Sequence, residues 1–170
     1  MSHTLYLLRH AKSSWADPAL ADRDRPLAPR GRRDAKRIGK HLAGLGIEPE
    51  LVLCSTAERT RETLELIRPA LGASSKVKLE AKLYAASSDE LLERIRAVPE
   101  SVASVMLIGH NPGLQDLALL LATAGAERER LEAKFPTAAL ATLTLLNTDW
   151  SRLSEAGAVL AAYVVPKQLG

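Results

Sequence analysis

The sequence predicts an α/β fold, a three-layer sandwich whose central sheet is mostly parallel and flanked by helices. Short apolar runs alternate along the chain with stretches of about ten or more residues in helical periodicity. Those runs are continuously apolar, as strands covered on both faces are, rather than alternating. The 170 residues suit one continuous core, so residues 1–170 are expected to form a single domain.

Each element follows in order. Thr4 to Leu8 is the first apolar strand, and a polar loop then runs through Lys12, Ser13 and Ser14 to Pro29. From Arg30 to Leu45, residues Ala35, Ile38, Leu42 and Leu45 recur at helical spacing, and Gly46 supplies a stop. Leu51 to Cys54 is the second strand. A helix from about Ala57 to Leu71 carries Leu64, Ile67 and Leu71 on one face, with Gly72 after it. Val77 to Leu79 reads as a weaker third strand. Ser88 or Ser87 caps a helix through Arg96, and Val105 to Ile108 is the fourth strand. Leu114 to Ala122 is apolar enough for a buried helix. Ala139 to Leu146 and Ala158 to Val164 close the sheet around a polar turn at Asn147 to Ser154.

Composition narrows the function classes. Hydrophobic residues make up 46% and charged residues 25%, which fits a folded globular chain and not a disordered or fibrous one. Cys54 is the only cysteine, so neither an intrachain disulfide nor a thiolate metal cluster can form, as expected in a reducing compartment. No apolar run approaches the ~20 residues of a membrane span, and Met1 to Arg9 lacks a basic leader. A cytoplasmic location with no membrane partner is expected. The formal charge of +3 is too small to imply a nucleic-acid partner. It is unevenly spread, because Arg23 to Arg37 holds seven Lys/Arg and two Asp, a local +5 that leaves −2 elsewhere.

The residues that follow three of the strands carry the chemistry. Arg9-His10 follows the first strand, Ser55-Thr56-Ala57-Glu58-Arg59 the second and Gly109-His110-Asn111-Pro112 the fourth. In an open parallel sheet the carboxyl ends of the strands share one edge, where a ligand crevice forms. Two arginines and two histidines are thereby brought toward one pocket. Guanidinium forks match phosphate oxygens, and Arg59, in the first turn of its helix, adds to the positive end of the helix dipole. Phosphoryl transfer needs mainly positioning and charge neutralisation. A histidine can attack phosphorus if one ring nitrogen is unprotonated, and nearby arginines favour that neutral form. Its other nitrogen then needs an acceptor, such as a backbone carbonyl. His3 and His41 lack such company and are expected to be solvated.

In these residues the sequence resembles the histidine phosphatase superfamily, whose mark is an Arg-His pair ending the first strand, and within it the compact SixA-type phosphohistidine phosphatases. The resemblance runs through Leu7-Leu8-Arg9-His10-Ala11-Lys12-Ser13-Ser14-Trp15, Asp24-Arg25-Pro26-Leu27 with Gly31, Ser55-Thr56-Ala57-Glu58-Arg59-Thr60 with Thr63, Ile108-Gly109-His110-Asn111-Pro112, and Phe135-Pro136-Thr137-Ala138-Ala139. It implies a phosphoglycerate-mutase-like fold and a metal-independent phosphatase without a cofactor. It also implies that His10 is phosphorylated in turnover while Arg9, Arg59 and His110 hold the phosphoryl oxygens. Lys12, Ser13 and Asn111 are expected to add substrate contacts.

Two departures stand out, and the second bears on substrate. Ala11 stands where many relatives have Gly. The larger branches also carry an acid in an insertion after the second strand, for which this chain is too short. Glu80 is the nearest positional candidate, although a glutamate at a strand end is more often solvated. Without that acid, phosphohistidine is favoured over phosphate esters, because an alkoxide leaving group needs a proton. The expected partner is a histidine-phosphorylated signalling or phosphotransfer protein, steered by the basic stretch if that stretch rims the pocket. Asp24-Arg25-Pro26-Leu27 reads as a structural turn in which Asp24 pairs an arginine of the site.

The rival motifs fail on spacing. Only four residues separate Cys54 from Arg59, where cysteine-dependent phosphatases need five. No apolar strand immediately precedes Asp22-Arg23-Asp24, as magnesium-dependent phosphatases require, and no P-loop occurs. Two alternatives remain, a general small-molecule phosphomonoesterase or mutase on the same pocket, and a non-catalytic phosphoprotein-binding module.

Overall fold

The computed structural model describes residues 2–169. Its strands are β1 (Thr4–Arg9), β2 (Leu51–Ser55), β3 (Lys76–Glu80), β4 (Ser104–Gly109), β5 (Leu140–Leu145) and β6 (Ala158–Val164). They form one sheet in the order β3-β2-β4-β1-β5-β6. The first four strands are mutually parallel, and β5 runs antiparallel to both of its neighbours. The helices are α1 (Pro29–Gly44), α2 (Glu58–Ile67), α3 (Ser88–Arg96), α4 (Gly113–Leu121) and α5 (Ala126–Ala133). No helix among the described residues is long and apolar enough to cross a membrane.

Strand periodicity divides the core between two layers. Leu5, Leu7, Leu53, Val105 and Leu107 point to the face covered by α3, α4 and α5. Leu8, Val52, Cys54, Met106 and Ile108 point to the face covered by α1 and α2. Both faces are apolar because both are covered, which is why these strands read as unbroken hydrophobic runs. β3 is the exception: it is an edge strand carrying Lys76 and Lys78 outward, a composition that discourages pairing with other chains.

Local chemistry explains the element ends. α1 stops at Gly44, and Gly46 takes a φ of +65°, letting the Ile47 amide reach back to the Leu42 carbonyl at 3.0 Å. Ser87 caps α3 by accepting from the Glu90 amide, while the Glu90 side chain accepts from the Ser87 amide. The helix expected to reach Leu71 is α-helical only to Ile67, and a 3-10 turn at Arg68–Ala70 replaces its last turn. Pro69 is the reason, since it has no amide hydrogen to continue the ladder. α5 had no apolar stripe to announce it, and buries only Leu131. His3 is not solvated. It is 4% exposed, stacks on Trp150 at 4.7 Å, and sets Nε2 3.5 Å from Glu100.

Candidate active site

Strand register sets the site. Leu8 and Cys54 both lie level with Ile108, and Arg9 lies level with Gly109. The chain therefore leaves β1, β2 and β4 at one edge of the sheet, and the residues that follow each strand converge there. β5 begins at the same edge because Leu140 pairs with Leu8. The segment 135–139 accordingly arrives beside the catalytic candidates: the Ala138 amide donates to the His10 carbonyl and the Arg9 amide to the Ala139 carbonyl. Ala138 takes a φ of +61° with its Cβ buried, a mildly strained conformation for an L-residue held by those bonds.

His10 and His110 are 6% and 8% exposed, and their ring centroids lie 5.3 Å apart. His10 Nδ1 lies 2.7 Å from the Ala11 carbonyl oxygen. A carbonyl only accepts, so Nδ1 carries the proton and Nε2 is left with its lone pair. Burial, with smaller contributions from His110, Arg59 and Arg9, pushes the His10 pKa down to about 3 despite the opposing Ala11 bond. Burial and Arg59 likewise push His110 down to about 4. Both rings are neutral near pH 7.

The cations around them are braced from behind. Arg9 donates from Nη1 to the Phe135 carbonyl at 3.1 Å, while its buried Nε has no partner among the described residues. Arg59 donates from Nη1 to the Asp22 carbonyl at 2.7 Å and from Nη2 to Asp22 Oδ2 at 3.0 Å. His110 sets Nε2 2.8 Å from Ser55 Oγ, and its buried Nδ1 is also unpartnered. Buried polar atoms are nearly always satisfied, so two orphans in one cluster of positive potential mark a place for an anion. Burial and, to a smaller degree, the nearby Arg59 charge lower the Arg9 pKa, so the two guanidinium groups act on the same space.

A profile of the histidine phosphatase superfamily (branch 1) matches residues 5–87. An uncharacterized protein of Mycobacterium tuberculosis is 37% identical over 164 residues, covering 94% of this chain and 100% of the relative. The solved SixA structure from Nakamurella multipartitia is 32% identical with a TM-score of 0.84, over 98% of this chain and 97% of that one. The chain belongs to the histidine phosphatase superfamily, in its SixA-type branch. The structure of protein histidine phosphatase SixA complexed with tungstate is also similar, at 25% identity and a TM-score of 0.81, covering 98% of this chain and 99% of that one.

In this SixA-type chain His10, Arg9, Arg59 and His110 are brought together. Of the other sequence candidates, Asn111, Ser13 and Glu80 are held by partners within the chain, and Lys12 is exposed. Asn111 is fully occupied: Nδ2 donates to the Phe135 carbonyl and to Gln115 Oε1, and Oδ1 accepts from the Gln115 amide. Ser13 Oγ accepts from Arg25 Nη2 at 2.6 Å and braces the loop. Lys12 has an exposed side chain, and its backbone oxygen accepts from the Ala28 amide. Glu80 is held bidentately by Arg94 at 2.7 and 2.9 Å, which keeps its carboxyl pKa below the usual range and so leaves it ionised, with no proton to donate near pH 7. Arginine pairing in the turn goes to Asp22 rather than Asp24, because the 3-10 turn Asp22–Asp24 aims Asp22 at both Arg25 and Arg59.

Three residues in the site had no role assigned from sequence. Tyr84 donates its hydroxyl to Asp22 Oδ2, and its ring stands nearly perpendicular to His110 with centroids 5.3 Å apart. With Arg59 and Arg25 it holds the Asp22 pKa down to about 2. Thr63 accepts from the Ala11 amide and donates to the Arg59 carbonyl, joining the His10 loop to α2. Ser55 orients His110. Thr63 lay one helical turn beyond Arg59, a spacing that signals a shared face. Tyr84, after a weak edge strand, gave no such signal. Cys54 is buried and its thiol is pushed up to about 12, so it is no nucleophile.

Proposed function

We propose that the chain is a metal-independent phosphatase that forms a phosphohistidine at His10 and acts on phosphohistidine borne by a protein. The observation that carries this is the fixed His10 tautomer, which leaves a lone pair on a neutral, buried Nε2 among two arginines and two orphaned polar atoms. In the first step Nε2 attacks phosphorus and the bond to the substrate's imidazole nitrogen breaks. That nitrogen keeps the electron pair and takes a proton from water. Water then attacks phosphorus, the bond to Nε2 breaks, and orthophosphate leaves. Arg9, Arg59 and His110 hold the non-bridging oxygens and offset their growing charge.

The choice of phosphohistidine over an ester follows from the acids. Asp22 is ionised with a pKa of about 2, and Glu80 is tied to Arg94. Neither is suited to protonate an alkoxide, whereas a phosphorus–nitrogen bond makes less demand on an acid. The similarity to the SixA structures supports the same substrate class. Turnover of a histidine-phosphorylated protein, p-nitrophenyl phosphate and sugar phosphates tests the reading. The expected result is a higher kcat/KM on phosphohistidine, inhibition by tungstate and indifference to chelators. Faster turnover of the esters selects the general phosphomonoesterase or mutase instead, and tight phosphate binding without any hydrolysis selects the binding module.

A further inference from the structure

The edge of the sheet that carries the site continues into a basic groove. β6 runs parallel to β1, and Val164 lies level with Leu140, so the chain after β6 emerges beside the segment 135–139. There Pro136, Thr137, Tyr163, Val165 and Pro166 floor a cavity of about 420 Å³ whose rim is Arg30, Arg37, Arg130, Lys134 and Lys167. A second cavity of about 550 Å³ adjoins it through Arg37, between Arg33, Lys36 and Lys40 of α1 and the terminal Gln168 and Leu169. Among the described residues, the two together are lined by eight Lys/Arg and a single acid, Asp34. That is a local +7 in a chain of net +3, which leaves −4 for everything else.

Most of this charge is uncompensated. Asp34 pairs with Arg30 and Arg37, and Arg130 with Glu127. Arg33, Lys36, Lys40, Lys134 and Lys167 have no carboxylate within 4.0 Å among the described residues. Arg33, Lys36, Arg37 and Lys40 are spaced i, i+3, i+4 and i+7, so they form one stripe on α1, about 10 Å long at the helical rise. A stripe of this kind is complementary to a partner helix bearing Asp or Glu at the same spacing. The apolar floor beside it would accept one of the partner's hydrophobic side chains.

The groove also shares a wall with the catalytic cluster. Pro136 and Thr137 face the cavity, while the Phe135 carbonyl just before them accepts from Arg9 and Asn111. We propose that this groove is the docking surface for an acidic helix of the phosphohistidine-bearing protein, seating its phosphoryl group over His10. The proposal rests on the phosphatase reading and adds the surface by which a protein substrate is selected. Opposite charges there speed encounter, and they are screened over about 10 Å at 0.1 M salt.

The test uses R33E/K36E/K40E and, from other elements, K134E/K167E. All five side chains are exposed, and thermal melts confirm folding. The probes are a histidine-phosphorylated phosphotransfer domain with an acidic helical surface, and phosphoramidate. Each variant should lower kcat/KM on the domain about tenfold or more at low salt, an effect that fades by about 0.5 M salt, while phosphoramidate turnover stays within about twofold. Unchanged turnover of the domain, or an equal loss on both substrates, overturns the proposal. Binding of the unphosphorylated domain, followed by fluorescence anisotropy, separates the two claims. If the domain binds and both variants release it while wild type hydrolyses neither probe, docking stands and the phosphatase reading fails. Tighter binding to an RNA of matched charge overturns docking by a protein.

Discussion

Replacing His10 by Asn should flatten the dependence of stability on pH between 7 and 5. In the folded chain burial holds the His10 pKa at about 3, against an ordinary value of 6.5. As pH falls through 6.5 the unfolded chain takes up a proton at this position and the folded chain does not. Stability is therefore lost on acidification, and the loss continues until the folded ring itself protonates near pH 3. Each unit of displacement is worth about 1.4 kcal/mol, so by pH 5 the 1.5 units already crossed amount to about 2 kcal/mol. The assay is urea unfolding of wild type and H10N at both pH values. His110 is present in both proteins, so its own depressed pKa largely cancels in the comparison. Wild type should lose about 2 kcal/mol more than H10N. Parallel pH profiles would mean that the ring is not held neutral, and the lone pair assigned to Nε2 would lose its basis.

Further outcomes follow from the same contacts. A Cβ built on Gly31 would sit 2.1 Å from the Lys12 carbonyl oxygen, so G31A must push the His10 loop by about 1 Å and should cost about a hundredfold in kcat; an unchanged kcat would show that α1 yields instead. In D22N the negative charge 3.0 Å from Arg59 Nη2 disappears, and tungstate should inhibit severalfold more tightly, about 1 kcal/mol being the scale of one unit-charge contact in water. Weaker inhibition would show that positioning Arg59 is the larger role of Asp22. E80Q should leave kcat within about twofold while lowering stability by up to about 1 kcal/mol through the partly buried pair with Arg94, whereas a tenfold loss of kcat would make Glu80 the acid. Because neutral His10 persists to low pH, the acid limb of kcat/KM on phosphoramidate should fall below pH 5, and a limb near 6.5 would contradict the burial argument.

Backbone periodicity made most of the fold legible. Leu51 to Cys54 and Val105 to Ile108 announce themselves because both of their faces are covered, and a serine at 87 or 88 marks the start of α3, where the structure selects Ser87 through its capping box with Glu90. α5 gives no periodic signal because it buries only Leu131, and the burial of His3 is not legible because nothing local signals a stacking partner at Trp150. The same contrast holds at the site. His10, Arg9, Arg59 and His110 could be brought to one place because parallel strands share an edge, a rule about topology. The arginine partner in the turn is Asp22 and not the expected Asp24, because which of the two faces inward depends on 3-10 geometry. Asn111 carries donors fit for phosphate, but composition cannot show that Gln115 and the Phe135 carbonyl already engage them, nor that Ser13 Oγ accepts from Arg25.

Covalent trapping reaches the central claim most directly. Labelled phosphoramidate is mixed with the enzyme, the reaction is quenched in alkali within the first turnovers, and the labelled peptide is sequenced. The account predicts an acid-labile, alkali-stable phosphoryl group on the peptide containing His10, and none on H10A. Label on another residue, or activity retained by H10A, would contradict it.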